Sequence, residues 1–323
     1  MPELPEVETV RRMLEGAIPG RRIARASVSR KRLRTTSLTP LPAKLEGRTF
    51  AKPRRTGKFL LLDLEGGDTL LSHLGMSGRW LYWRPGGTPD ASLEHVHLKL
   101  EFADGAALWF QDVRRFGMLR VVPTDRLARD ASLRLLGPDP LAVPRDGAAL
   151  RSAARGARTS IKAWLLDQRR IAGLGNIYAS EVLFRARVDP RRRAGTLEPA
   201  EWTRVAAEIV AVLEESIARM GTTFSSYRTI WNEPGQYGEA LLVYDRAGEP
   251  CRHCGTPLRR IVQNGRSTFF CPSCQRRERS SHPTPTPTRA VRGYPARGYP
   301  ARGRAGAREY RGRRVVARRL SNR

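Results

Sequence analysis

The chain has 323 residues, of which 40% are hydrophobic, enough to bury cores in two or three domains. Lys and Arg outnumber Asp and Glu by 59 − 31 = 28, which favours a polyanionic partner, usually nucleic acid. The chain has neither the ~20-residue apolar run of a membrane span nor the apolar core of a signal peptide. We therefore expect a cytoplasmic, nucleoid-associated protein with no membrane partner.

The opening segment, MPELPEVETV, combines prolines with acidic residues. Both suit the first turn of a helix, and Val7, Val10 and Leu14 recur at helical spacing. The pattern predicts a helix that runs to about Gly16. Helix-start chemistry accounts for the acidic residues but leaves Pro2 unexplained.

Residues 20–125 read mainly as β structure. KFLLLDLEGGDTLLSHL contains two apolar runs around a Gly-Gly turn, which indicates a hairpin. HVHLKLEF alternates, with apolar residues predicted on one face and His95, His97, Lys99 and Glu101 on the other. Several short strands with turn residues between them predict an antiparallel sandwich.

The second half of the chain is predicted to be helical up to the cysteines. A connector rich in proline and glycine spans about 126–147. IKAWLLDQRRIAGLGNIYASEVLF reads as two helices joined by a turn at Gly173 and Gly175, and a long amphipathic helix follows Pro199. The glycines before Asn176 could expose amide groups to a phosphate, or could simply make a tight turn without a ligand.

All four cysteines lie in two CxxC pairs separated by sixteen residues. This spacing predicts a tetrahedral zinc site with four thiolate ligands; two disulfides or ordinary thiols are the alternative. Asn264-Gly265 between the pairs predicts a hairpin turn, with Arg266 directly after its tip. The predicted ligands are Cys251, Cys254, Cys271 and Cys274.

Two loops combine apolar residues with cations after predicted strands: HLGMSG and QDVRRFG. Their His73, Met76, Arg114 and Phe116 are either satisfied core residues or a wedge that enters a base stack while arginines hold the backbone. Lys58, in RRTGKF, starts a strand; a lysine of this kind is more often a solvated charge than a catalytic group.

The end of the chain changes in composition. Residues 276–323 contain fifteen Arg against two Glu, a net charge of +13, and repeat RGYPA twice. Such a composition predicts disorder. Its arginines and tyrosines suit phosphates and unstacked bases, although a solvated extension without function is the alternative.

PELPEVET, HLGMSG, RRFG, GLGNIYASE and the late four-cysteine hairpin, in this order, resemble the bacterial formamidopyrimidine-DNA glycosylases over about residues 1–276. The resemblance implies an α+β multidomain fold: an N-terminal antiparallel β-sandwich, a helix–two-turns–helix domain and a C-terminal β-hairpin zinc finger. The expected segments are the sandwich with its leading helix, a linker, the helical domain, the zinc finger and the Arg-rich tail: 1–130, 131–147, 148–240, 241–276 and 277–323.

The resemblance also implies a bifunctional enzyme, a monomer with one structural zinc ion, that acts on damaged double-stranded DNA. Once Met1 is removed, Pro2 would supply an amine that attacks the sugar of an oxidised purine nucleotide and forms a Schiff base. Glu3 would move protons, while Lys58 and Arg266 would grip neighbouring phosphates during strand cleavage.

Further DNA contacts follow from the same resemblance. Met76, Arg114 and Phe116 match residues that fill the gap left by an everted base. His73 and Asn176 match phosphate contacts. His95 and Arg158 lie near additional contacts of the family.

Two positions depart from the family pattern. Val113 replaces a usual proline, and Ser225 stands where several relatives carry lysine in the loop that covers the everted base. Two other functions stay open: an endonuclease VIII-like glycosylase for oxidised pyrimidines, and a non-catalytic zinc-finger DNA-binding protein. The opening motif favours the purine enzymes, and a mere binder needs none of Pro2, Glu3 and Lys58.

Overall fold

The computed structural model describes residues 2–142, 146–224 and 226–276. The disorder expected of 277–323 and the role expected of Ser225 therefore lie outside the described residues. Among the described helices, none combines the length and apolarity that crossing a bilayer requires.

The N-terminal half begins with a helix and continues as strands, as predicted, with one short helix between the first two strands. Its elements in chain order are α1 (Leu4–Glu15), β1 (Ile23–Val28), α2 (Leu41–Leu45), β2 (Phe50–Thr56), β3 (Phe59–Leu64), β4 (Asp68–His73), β5 (Gly78–Trp83), β6 (Val96–Phe102), β7 (Ala107–Asp112) and β8 (Met118–Pro123).

These strands form two four-stranded antiparallel sheets, in the orders β1-β6-β7-β5 and β2-β3-β4-β8. Alternating apolar side chains of both sheets meet between them, as expected of a sandwich, and Phe50, Trp80 and Phe110 are fully buried there. The predicted Gly-Gly hairpin is β3-β4, where Gly66 and Gly67 both have positive φ. The predicted sandwich is confirmed.

The helical region contains α3 (Gly147–Ala153), α4 (Ile161–Leu166), α5 (Asn176–Arg185) and α6 (Pro199–Ala218). Leu183, Val205 and Leu213 belong to its core and are fully buried, and Trp164 packs edge-on against Trp202. Leu4 of α1 also belongs to this core. The first helix therefore joins the sandwich to the helical region.

The cysteine segment forms the predicted hairpin, β9 (Arg259–Gln263) and β10 (Arg266–Phe270). Asn264 and Gly265 at its tip both have positive φ, as a tight two-residue turn requires. Its own core is small, with Leu258 and Phe269 as its main apolar side chains beside Phe184 and Val243. Burial alone would stabilise so small a module weakly.

Candidate active site and nucleic-acid interface

Glu3 lies where two helices begin. It is the N-cap residue of α1, and its Oε1 accepts a hydrogen bond from the backbone N–H of Ile177 in the first turn of α5, at 3.1 Å. Only 2% of Glu3 is exposed, and its Oε2 is buried with no hydrogen-bond partner among the described residues. Two helix N-termini favour the carboxylate electrostatically, and one oxygen stays free for a further proton or ligand.

The glycines of GLGN let the first residues of the chain approach α5. A Cβ on Gly175 would lie 2.2 Å from Cδ of Glu3, and a Cβ on Gly173 would lie 2.6 Å from Leu4. The carbonyl of Gly173 accepts the Leu4 N–H at 3.1 Å. At this helix start the carboxylate of Glu3 takes the Ile177 amide; the phosphate contact expected of Asn176 stays a prediction.

Glu6 stabilises the corner, the buried site at which Glu3 meets the start of α5. The sequence had suggested only a helix-start role for Glu6. Its Oε2 accepts the Glu3 N–H at 2.7 Å, and its Oε1 accepts the Tyr178 hydroxyl and the Thr222 N–H. Burial, followed by the charge of Glu3, raises the pKa of Glu6. A raised pKa suits a group that exchanges a proton with its neighbours.

Lys58 lies at the turn between β2 and β3 and is 8% exposed. Its neighbour Gly57 packs against Ala172 and Gly173, which brings the lysine to the same corner as Glu3. Burial lowers the pKa of Lys58; the carboxylate of Glu3 opposes the shift and Arg266 reinforces it. Lys58 is therefore not a solvated charge, and a buried lysine that feels both groups is a candidate functional residue.

Arg55 fixes the turn that carries Lys58. Only 6% of its side chain is exposed, and it pairs with Glu8 of α1 and Asp139 of the connector. Asp139 also accepts the Gly57 N–H at 3.0 Å. Although burial would raise the pKa of Glu8, hydrogen bonds from Arg11, Arg12 and Arg55 lower it to about 2.

His73 ends β4 beside this turn. Burial and the charge of Lys58 lower the pKa of His73 to about 4, so the imidazole is neutral at pH 7. Its Nδ1 accepts the Gly75 N–H at 3.0 Å, which leaves the proton on Nε2. His73 can therefore offer one N–H donor to a phosphate.

Arg266 is exposed at the hairpin tip. The next residue, Ser267, accepts hydrogen bonds from side chains of α4 and α5. The carbonyl of Ser267 accepts Nδ2 of Asn176 and Nζ of Lys162, each at 2.9 Å. Burial lowers the pKa of Lys162 to about 7, opposed by Glu3 and reinforced by Arg266. Lys162 was missed from the sequence, where IKAWLL reads as an ordinary amphipathic segment.

The four cysteines bring their sulfur atoms within 4.8 Å of one another. Cys254 lies 3.5 Å from Cys271 and Cys251 lies 3.9 Å from Cys274, measured between Sγ atoms. A tetrahedral Zn–S₄ site with bonds of about 2.3 Å requires sulfur separations of about 3.8 Å, whereas a disulfide requires about 2.05 Å. The residues fit one structural zinc ion, and the disulfide alternative is wrong.

Residues 112–117, the wedge loop, carry Arg114 and Phe116. Buried Asp112 shapes the loop, because its carboxylate accepts the Ser77 hydroxyl and the Gly117 N–H. The HLGMSG loop packs closely against it: a Cβ on Gly75 would lie 2.4 Å from the Phe116 carbonyl carbon. Met76 there is 36% exposed. The two loops together present the apolar and cationic side chains predicted for a wedge.

His95 meets the wedge loop only through its backbone, where its carbonyl accepts the Asp112 N–H at 3.0 Å, and no contact between Arg158 and these groups is found in the described ranges. Both are exposed; His95 precedes β6 with a positive φ, and Arg158 lies before α4. His97, by contrast, is 1% exposed, although strand alternation predicted a polar face. Its burial reflects hydrogen bonds to Ser29 and Asp112 from other segments.

Comparison with known proteins gives one consistent family. Residues 1–119 match the formamidopyrimidine-DNA glycosylase N-terminal domain, 136–228 the formamidopyrimidine-DNA glycosylase H2TH domain, and 248–277 the zinc finger found in FPG and IleRS. Formamidopyrimidine-DNA glycosylases of Rhodopseudomonas palustris and Cereibacter sphaeroides are 45% and 46% identical, each covering 85% of this chain and 100% of the relative.

Solved structures of the Lactococcus lactis protein are 33% identical and cover 85% of this chain and all of theirs. They were determined with DNA containing Fapy-dG (TM-score 0.78, a variant), an abasic site (0.77) or an oxidised pyrimidine (0.76). The matches run through the sandwich, the helical region and the cysteine hairpin alike. The chain belongs to the formamidopyrimidine-DNA glycosylase family.

Proposed function

We propose that this protein is a base-excision-repair enzyme that removes oxidised purines, 8-oxoguanine and formamidopyrimidines, from duplex DNA and then cleaves the strand. The observation that carries the proposal is the buried corner at which Pro2-Glu3, the start of α5 and Lys58 meet. The relative crystallised with Fapy-dG-containing DNA supports the substrate class.

In the first step, removal of Met1 would give Pro2 a secondary amine. Its nitrogen attacks C1′ of the damaged nucleotide, the bond from C1′ to the base breaks, and the base leaves with the bonding electrons and a proton. Loss of the amine proton and opening of the sugar give an iminium ion. Glu3 is placed to move these protons, because its Oε2 is buried and unpartnered among the described residues.

In the second step, the iminium acidifies the C2′ proton, and successive β- and δ-elimination expel the 3′ and 5′ phosphates. Lys58 and Arg266 supply positive charges near this corner, and the neutral His73 offers an Nε2–H donor. Asn176 donates a hydrogen bond to the carbonyl of Ser267. This bond orients the residue that follows Arg266. These groups together match the phosphates that flank one nucleotide.

The remaining sites serve binding. Met76, Arg114 and Phe116 fill the space left by the everted base, and His95 and Arg158 add contacts along the backbone. Bound zinc supplies folding free energy to the hairpin and takes no part in the chemistry. We place the domain limits at residues 130, 147, 240 and 276. We also propose that the protein acts as a monomer, with one chain bound to each damaged duplex.

Oxidised pyrimidines are a second candidate substrate class. The Lactococcus lactis relative was crystallised with DNA containing an oxidised pyrimidine, which supports this second class as a candidate. Competition between duplexes carrying 8-oxoguanine and an oxidised pyrimidine ranks the two substrates for this chain.

Borohydride trapping tests the proposal. Incubation with 8-oxoguanine duplex and borohydride should give a covalent complex whose cross-link maps to Pro2, and a Pro2→Gly variant should lose most base release and strand cleavage. A cross-link at Lys58, or unchanged rates in the Pro2→Gly variant, would contradict the assignment. Binding without any base release would identify a non-catalytic DNA-binding protein.

A further inference from the structure

Arg34 lies beside the wedge loop although it is distant in sequence. It belongs to residues 29–34, the basic loop, which follows β1. The loop is anchored by Leu33, of which 1% is exposed, and its cationic side chains are exposed: Arg30, Lys31, Arg32 and Arg34. A run of cations alone would be an ordinary solvated surface, so the contacts of Arg34 decide its role.

The basic loop and the wedge loop are joined at two points. The Arg34 N–H donates to the carbonyl of Arg115 at 2.8 Å. The buried imidazole of His97 bridges the starts of the loops, with Nδ1 2.9 Å from the Ser29 hydroxyl and Nε2 3.0 Å from the Asp112 carbonyl. Because buried hydrogen bonds are costly to leave unmade, the two loops are held as one unit.

The guanidinium of Arg34 also contacts the wedge side chain itself. Its Cζ lies 4.9 Å from the centroid of the Phe116 ring, and Cζ of Arg114 lies at the same distance. Both distances are within the range of cation–π attraction. Phe116 is therefore held by two guanidinium groups, one from its own loop and one from the basic loop.

We propose that Arg34 is a positioning residue for Phe116 and sets how strictly the enzyme discriminates the base opposite the lesion. The inference rests on the proposed function, in which wedge-loop side chains fill the space left by the everted base and so lie beside its former partner. Guanidinium groups only donate hydrogen bonds. Beside the base opposite the lesion, these groups can donate hydrogen bonds to the adjacent N3 and O2 acceptors of cytosine. They cannot pair with the N6 amino group of adenine, which is itself a donor.

The experiment compares single-turnover base release from duplexes with 8-oxoguanine opposite cytosine or adenine, using the full chain. The wild type should release the base faster opposite cytosine. In Arg34→Ala the ratio of the two rates should narrow by about two- to fivefold, the range expected from an exposed cation–π contact. Arg34→Lys keeps the charge but loses the planar group, so its ratio should also narrow while its salt dependence stays that of the wild type.

Arg32→Ala is the matched control, because it removes the same charge from the same loop. It should flatten the dependence of DNA binding on salt and leave the cytosine-to-adenine ratio unchanged. Equal ratios in the wild type, Arg34→Ala and Arg32→Ala would overturn the inference, as would a wild type indifferent to the opposite base. A wild type that releases no base from either duplex would instead refute the proposed function.

Discussion

Two hairpins of this protein each present one cation to the same corner, and different physics stabilises each. Lys58 lies at the β2-β3 turn, on a sandwich with a large apolar core. Arg266 lies just after the β9-β10 turn, on a module whose own core is small and whose four thiolates fit zinc. The first cation is buried and the second is exposed. A buried cation needs rigid surroundings on all sides, whereas an exposed cation needs only a folded hairpin that holds its backbone in place.

Removing the metal should give the largest difference in stability between the two hairpins. A structural zinc site contributes on the order of 10 kcal/mol to the folding of its module. Cys254→Ser should therefore lose zinc, unfold the β9-β10 hairpin and release Arg266, while the sandwich keeps its thermal transition. Metal analysis and limited proteolysis measure both effects. Ser273→Ala, in the same module but not a ligand, should retain one zinc; retention by Cys254→Ser would contradict the assignment.

Breaking the Arg55 pairs should destabilise the first hairpin. Arg55→Ala leaves Asp139 without its buried partner and Glu8 with Arg11 and Arg12 alone, which should cost about 3–5 kcal/mol in the free energy of unfolding. Arg54→Ala is the control, because its partner Asp63 is reached from a side chain that is 47% exposed, and it should cost less than about 1 kcal/mol. Urea denaturation gives both values, and equal losses would argue against a buried clamp.

Replacing Lys58 should stabilise the fold while impairing the proposed function. Its pKa is lowered in the folded state, so at pH values below both the folded and the unfolded pKa, burial of the charge costs stability. This cost is relieved as pH rises through the folded pKa. Lys58→Met should gain about 0.5–2 kcal/mol near pH 7 and less at high pH.

Thermal unfolding from neutral to alkaline pH measures the effect of Lys58→Met, with Lys52→Met as the control because the Lys52 side chain is 73% exposed. The control should change stability by less than about 0.5 kcal/mol. A Lys58→Met variant that is less stable than the wild type at every pH would mean that Glu3 and Glu6 stabilise the lysine more than burial destabilises it.

The smallest effect concerns the Arg-rich stretch 277–323, which lies outside the described residues. Its residues 278–323 carry thirteen Arg against two Glu, a net charge of +11, and each phosphate they neutralise would steepen the log K against log salt slope by about 0.9. Ending the chain after Arg277 should flatten that slope on undamaged duplex and leave single-turnover base release unchanged. Identical slopes would show that the stretch does not contribute to DNA binding.

Local signals in the sequence predicted much of this molecule. The two CxxC pairs, the Asn264-Gly265 turn and the Gly-Gly hairpin each depend on neighbouring residues, and each is found where expected. The period of α6 predicted a buried face just as directly. Patterns of this kind are reliable because their physical cause lies within one turn or one strand.

Contacts between distant segments could not be predicted in this way. The glycines before α5 suggested an anion site, but the sequence could not show that Glu3 itself occupies it. Strand alternation predicted His97 on the polar face of its strand, and only the approach of Ser29 and the Asp112 carbonyl explains its burial. Lys162 and Glu6 were passed over because their partners lie more than a hundred residues away.

The hydrogen bond from Ile177 to Glu3 spans 174 residues, which sets an order of events during translation. At about 5–20 residues per second, α5 leaves the ribosome roughly 10–35 seconds after Glu3 does. An aminopeptidase that removes Met1 can reach the start of the nascent chain during that interval. Once α5 folds, Pro2 and Glu3 are buried. The long separation of Glu3 from α5 thus gives maturation of the proposed nucleophile a cotranslational window, before the corner that uses it has formed.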